Sequence, residues 1–126
     1  MIVGLGVDLA RASRFTKLLA LEKRGVITRV FTPGELAYAL AMKNPAPHLA
    51  ARFAAKEAFV KALGLGLRSG MSWQEIEVVR NELGAPSLRL SGHAAEHAAA
   101  RGVTTIHLSY SHEGDYASAT VILENA

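Results

Sequence analysis

Two carboxylates and three cations are the residues of this sequence best suited to chemistry. Asp8 stands near the end of the alternating segment "IVGLGVDL", and Glu57 stands in "AARFAAKEAFVKALG" together with Arg52, Lys56 and Lys61. Paired carboxylates from separate elements suit a hard divalent cation such as Mg2+, which fills its other positions with water and phosphate oxygens. Cations beside such a pair neutralise charge on a transferring phosphoryl group and on the group that departs. Plainer readings exist for each residue. Asp8 could cap the turn that follows it, and Glu57 with Lys61, at i and i+4, could be an exposed pair worth about 0.3–0.5 kcal/mol. No spacing rule links positions 8 and 57.

The setting of the cations is unusual. At about 100° per residue, Phe53, Phe59, Val60 and Leu63 fall on one arc of a helix. Arg52 and Lys56 point into that arc, while Glu57 and Lys61 lie just beyond its edge. Buried cations without partners cost several kcal/mol. Something anionic should therefore meet this helix, either protein carboxylates or a phosphate-bearing ligand, unless the long stems carry their charged heads outward. Elsewhere the signals are weaker. His107 alternates within a strand, and His112 opens the last hairpin turn. Ser111, His112 and Asp115 are neighbours in one turn, a poor arrangement for a nucleophilic triad, and they lack a nucleophile elbow. A zinc-protease HExxH, a phosphate-binding P-loop and a zinc-type His pair are all absent.

Several elements must position these side chains. Residues Ile2 to Leu9 alternate, with Val3, Leu5, Val7 and Leu9 on one face and Gly4, Gly6 and Asp8 on the other. This pattern predicts a strand buried on its apolar side. A helix is expected from Ser13 to about Arg24, ended by Gly25, with Arg14, Lys17 and Arg24 at roughly helical spacing. "FTPGEL" carries a capping box, Thr32 with Glu35, and Pro33 at the first helical position. That helix should run to about Lys43, where Asn44-Pro45 stops it. "KNPAPH" then reads as a loop. The cation-bearing helix follows from His48 or Leu49 to Leu63, with "GLGLRSG" as its exit. "SWQE" is a second capping box, Ile76 to Arg80 and "SLRL" a hairpin about "NELGAP", and Gly92 to Arg101 a helix. Two last strands, about Thr104 to Ser111 and Tyr116 to Glu124, flank the turn "HEGD". Hairpins mixed with long helices indicate an α+β fold, a mainly antiparallel sheet packed with helices, in one domain spanning 1–126.

At 126 residues the chain can bury a core of its own, although alanine supplies much of the apolar count. A small core of this kind gains from oligomerisation. The formal charge of +3 suits an anionic partner but lacks the dense basic tracts of nucleic-acid binders. Absence of cysteine excludes disulfides, thiol nucleophiles and cysteine-ligated metals. "MIVGLGVDLA" is too short and Gly-broken to span a membrane, so the cytoplasm is the expected compartment and no membrane or nucleic-acid partner is expected.

Taken in order, "GLGVDLARASRF", "RVFTPGEL", "ARFAAKEAFVKALGLG", "WQEIEV", "NELGAPSLRLSG" and "LSYSHEGDYASATVI" resemble the holo-[acyl-carrier-protein] synthases, the short bacterial type of 4′-phosphopantetheinyl transferase. The resemblance covers almost the whole chain. It implies transfer of the 4′-phosphopantetheine arm of coenzyme A to a serine of apo acyl carrier protein in fatty acid biosynthesis, with adenosine 3′,5′-bisphosphate as co-product. It further implies that Asp8 and Glu57 hold Mg2+, with Mn2+ an alternative, and that Lys61 lies near the phosphates. Arg52, Lys56, Gly64, Pro86 and His112 would belong to the coenzyme A site, and the helix with Arg14, Lys17 and Arg24 would dock the carrier. The family is a homotrimer with sites between subunits. Departures from its pattern are Leu65, Ala51 and Leu21, where a small polar residue, Gly and a cation are usual; none removes a metal ligand.

Overall fold

One long helix organises the molecule, and almost everything else packs against it. The structure, a computed structural model, describes residues 1–21, 24–66 and 70–126, without the side chain of Arg24. Part of the glycine-rich exit, residues 67–69, lies outside the described residues. The chain runs β1 (Ile2–Arg11), α1 (Ala12–Ala20), α2 (Arg24–Val30), α3 (Pro33–Leu40) and α4 (Pro45–Leu63). It continues through a single 3-10 turn (Trp73–Glu75) to β2 (Ile76–Arg80), β3 (Pro86–Leu90), α5 (Gly92–Ala100), β4 (Val103–Glu113) and β5 (Tyr116–Asn125). Two antiparallel sheets result, one ordered β1-β5-β4 and one formed by the β2-β3 hairpin. The α+β expectation is met.

Thirteen of the nineteen residues of α4 are buried, seven of them alanine. Alanine lets backbone approach backbone, and β1 answers with glycine. A Cβ on Gly6 would lie 1.9 Å from the Ala58 carbonyl oxygen, and one on Gly4 would lie 2.3 Å from that of Ala62. The glycine face of β1 is therefore the inner face. This reverses the expectation that Val3, Leu5, Val7 and Leu9 point inward: Leu5 is 65% exposed, Val7 56% and Leu9 65%, with only Val3 packed against the core. Alternation identifies two faces of a strand, but what stacks on each decides which is inside.

Three helix boundaries also differ from expectation. The first helix ends at Ala20, with the Leu21 N–H turned to the Lys17 carbonyl, and a separate α2 begins at Arg24. Gly25 sits inside α2 with open space around it, where the sequence had suggested a stop. α3 stops at Leu40 rather than Lys43. "KNPAPH" is not a loop, because Pro45 occupies the first turn of α4, a position that needs no N–H. The capping box of α3 forms as expected: Glu35 accepts from the Thr32 N–H at 2.9 Å, and Thr32 Oγ1 accepts from the Glu35 N–H at 3.2 Å. Aromatic contacts fix α1 to this frame, with Phe15 5.7 Å from both Phe31 and Phe53, and Phe53 5.4 Å from Trp73. Among the described residues no helix is long and apolar enough to cross a membrane.

Candidate active site

The close packing of β1 on α4 brings Asp8 to the flank of the helix. There Lys61 Nζ donates to Asp8 Oδ1 at 2.8 Å and to the Val7 carbonyl at 3.2 Å. The Asp8 side chain is only 13% exposed, whereas that of Lys61 is 53% exposed. One turn back, Glu57 is half-buried. Burial, and then the negative charge of Asp8, push the Glu57 carboxyl above its ordinary range, against the opposing pull of Lys61 and Arg14. The hydrogen bond to Asp8 holds the Lys61 ammonium above its usual value. Arg14 reaches this place from α1, its guanidinium 5.0 Å from the centre of the Phe53 ring. Two neighbouring carboxylates flanked by cations form a donor set that fits a divalent metal using one or two carboxylates. Among the described residues no group of three or more metal-ligating side chains occurs, so this set suits a metal completed by water and ligand oxygens.

Five positions from Glu57, about 140° around α4, Arg52 opens onto a different place. Its guanidinium lies 4.2 Å from the centre of the Tyr38 ring and donates to the His48 carbonyl at 3.3 Å. The residue is only 2% exposed, and its Nε has no hydrogen-bond partner among the described residues. Arg80 approaches the same ring at 5.2 Å and hydrogen-bonds the Tyr38 hydroxyl. Arg52 and Arg80 line a cavity of about 250 Å³ with Gly34, Tyr38, Glu77 and Arg89. Burial first, then Arg52, His112 and Arg80, lower the proton affinity of His48. His112 of the β4-β5 hairpin is thus within electrostatic reach of this basic group, and Pro86 pairs opposite Arg80 in the hairpin ladder. Gly64 closes α4 in a left-handed conformation, φ 73°.

Lys56 stands apart from both places. Fully buried, it contacts Glu35 Oε1 at 2.7 Å and donates to the carbonyls of Val30 at 2.7 Å and Trp73 at 3.0 Å. The other Glu35 oxygen accepts from the Val78 N–H at 2.8 Å. All three ammonium protons are engaged inside the protein, which leaves none for a coenzyme phosphate. The anion that this cation needed is the capping-box carboxylate. Its role is to clamp α2, α3, the 3-10 turn and β2 onto α4.

The sequence profile of the 4′-phosphopantetheinyl transferase superfamily matches residues 4–121. The chain belongs to that superfamily. Within it, the holo-[acyl-carrier-protein] synthase of Syntrophotalea carbinolica is 54% identical over 121 residues, 96% of this chain and 94% of the relative. The crystal structure of holo-[acyl-carrier-protein] synthase from Neisseria meningitidis superposes with a TM-score of 0.89 at 34% identity, covering 99% of this chain and 100% of the other. The synthase from Bacillus anthracis, solved in complex with CoA (3′,5′-ADP), gives a TM-score of 0.80 at 34% identity, covering 100% of this chain and 99% of the other.

Within this transferase fold the expected residues divide. Asp8, Glu57 and Lys61 come together, with Arg14 beside them. Arg52, Pro86 and His112 gather on the other side of α4. Lys17 lines a surface groove with Arg11, Ser13, Arg14, Leu18 and Leu21. The side chain of Arg24 lies outside the described residues. Tyr38, His48, Arg80 and Arg89 were missed by sequence reasoning. They converge from four elements and share no spacing; the one available hint was a pair of arginines in a short hairpin.

Proposed function

We propose that this chain transfers the 4′-phosphopantetheine group of coenzyme A to a serine of apo acyl carrier protein, in support of fatty acid biosynthesis. The observation that carries this reading is the cluster of Asp8, Glu57 and Lys61 on the β1-α4 seam. Asp8 and Glu57 would hold Mg2+, or Mn2+. When bound, the ion would neutralise charge on the pyrophosphate and on the transferring group. Lys61, with its side chain 53% exposed, would exchange Asp8 for the bridging oxygen as the bond of that oxygen to the transferred phosphorus breaks. The carrier's hydroxyl oxygen forms the new bond to that phosphorus, its proton passes to a site carboxylate or to water, and adenosine 3′,5′-bisphosphate departs as the bridging bond breaks. No nucleophile from this chain is required, so positioning and electrostatics account for catalysis.

Arg52, Pro86 and His112, with Gly64 at the helix end, would bind the rest of the coenzyme. Lys56 supports that wall from behind. The two groups sit about 140° apart around α4, which favours a site built by one copy's carboxylates and a neighbour's basic cavity. The outer face of β1 supports such a homotrimer: exposed Leu5, Val7 and Leu9 continue across the register to Ile122, Thr120 and Ser118. A single domain of this kind would dock an acidic carrier on the basic face of α1 through Arg14 and Lys17, with Arg24 following in sequence.

The test is mass gain on apo carrier protein incubated with coenzyme A, with and without Mg2+. Wild type should add one phosphopantetheine only when metal is present. Asp8→Ala and Glu57→Ala should add none while keeping their circular-dichroism spectra. Undiminished transfer by both variants would refute the mechanism.

A further inference from the structure

The carboxylate of Asp115, in the turn between β4 and β5, lies 102 positions from Ser13 in sequence and against it in space. Asp115 Oδ1 accepts from the Ser13 N–H at 2.8 Å, and Oδ2 accepts from the Ser13 hydroxyl at 2.7 Å. The Asp115 carbonyl accepts from the Ala12 N–H at 2.8 Å. Next to it, the Arg11 guanidinium lies 5.3 Å from the centre of the Tyr116 ring. These contacts hold the Asp115 carboxyl below its usual range, the Ser13 hydroxyl first and its N–H second.

We propose that Asp115 is a positioning residue for carrier docking, a cap supplied from the hairpin that sets the angle at which α1 presents its basic face. This rests on the reading that α1 docks the carrier. The helix needs such help. It has nine residues, carries no acidic residue in its first turn, and its own N-cap residue, Arg11, makes no side-chain cap bond. A helix this short does not hold its shape in water without tertiary anchors, and its first N–H groups require acceptors and favour negative charge. Phe15 anchors the middle of α1 in the aromatic cluster. Leu18 and Leu19 pack beside it toward the C-terminal end, and the Asp115 cap fixes the N-terminal end. Ser13, the residue held, itself lines the groove with Arg11, Arg14 and Lys17.

Charge and position predict opposite signs here. Deleting a carboxylate beside a basic face would, by charge alone, tighten an acidic partner. Loss of positioning weakens it.

The experiment is steady-state kinetics with apo carrier and coenzyme A for wild type, Asp115→Ala, Asp115→Asn, Ser13→Ala and Lys17→Ala. Asp115→Ala should raise KM for the carrier about five- to tenfold, the loss expected of a helix cap, leaving kcat and KM for coenzyme A unchanged. Asp115→Asn, which keeps an acceptor for the Ser13 N–H, should recover most of the loss despite lacking the charge. Ser13→Ala, which keeps the backbone bond alone, should fall between. A KM for carrier that is unchanged or lowered in Asp115→Ala, while Lys17→Ala raises it, overturns the proposal alone. If Lys17→Ala also leaves that KM unchanged, the docking reading falls and the proposal with it. If Asp115→Ala does not fold, Asp115→Asn still decides by sign: a lowered KM refutes positioning.

Discussion

Gly6→Ala places one methyl group where the site is built. The new Cβ would lie 1.9 Å from the Ala58 carbonyl oxygen and 2.9 Å from the Ala58 carbonyl carbon and the Ala62 nitrogen. All three are backbone atoms of a buried helix, so no rotamer change relieves the clash. Restoring an ordinary contact of 3.4 Å requires β1 to retreat by about 1.5 Å. Overpacking of a tight core costs about 1–3 kcal/mol, and more where backbone must shift. A loss of about 3 kcal/mol corresponds to a fall of roughly 10 °C in Tm for a domain of this size. Asp8 rides on the same strand two residues on, on the same face. Displacing it by more than 1 Å from Glu57 should lower kcat by about 10²-fold even in the fraction that folds. Thermal melts and single-turnover carrier modification measure the two effects separately. Gly25→Ala is the control: its Cβ meets nothing within 4 Å, and in α2 it should be neutral or stabilising by about 0.5–1 kcal/mol. A Gly6→Ala protein with wild-type Tm and wild-type rate would refute the claim that backbone contact between β1 and α4 sets the site.

Two other expectations follow from buried and capping charges. Lys56→Met removes the ion partner of the buried Glu35 carboxyl and should destabilise by about 3–5 kcal/mol in denaturant unfolding; the Lys56→Met, Glu35→Gln pair should recover part of that loss. Glu75 accepts from the Ser72 and His93 N–H groups, both at 2.9 Å, and these bonds hold its carboxyl below the usual 4.5. A depressed folded value contributes stability in full above about pH 4.5 and loses it as pH falls through the folded value. The stability gap between wild type and Glu75→Gln should therefore be constant from neutral pH down to about 4.5, then narrow in more acid solution.

Much of this molecule was legible in its sequence because local chemistry wrote it there. The Thr32-Glu35 box, the β2-β3 hairpin and the two closing strands form within a few residues of expectation. What stayed hidden depended on tertiary partners. Lys56 was recognised as a cation that needed an anion, and Glu35 was recognised as a cap; nothing in their spacing says that they are each other's partner. Gly25 looked like a helix terminator, but a glycine ends a helix only where the chain turns left-handed, and here the chain had already broken at Ala20. The proximity of Asp8 and Glu57 came from family resemblance, since they stand 49 positions apart. The inner face of β1 was misread because hydrophobicity was assumed to point toward the chain's own core, whereas α4 approaches too closely to admit anything but glycine.

That inside-out strand ties two equilibria to alternate residues of one segment. Positions 4 and 6 govern how the chain closes on itself, a unimolecular event. Leu5, Val7 and Leu9 face outward; in the proposed homotrimer they would be buried by another copy, an event governed by mass action. On that proposal, substitutions at positions 4 and 6 should harm the protein equally at every concentration, while those at positions 5, 7 and 9 should be harmless when protein is abundant and damaging when it is scarce.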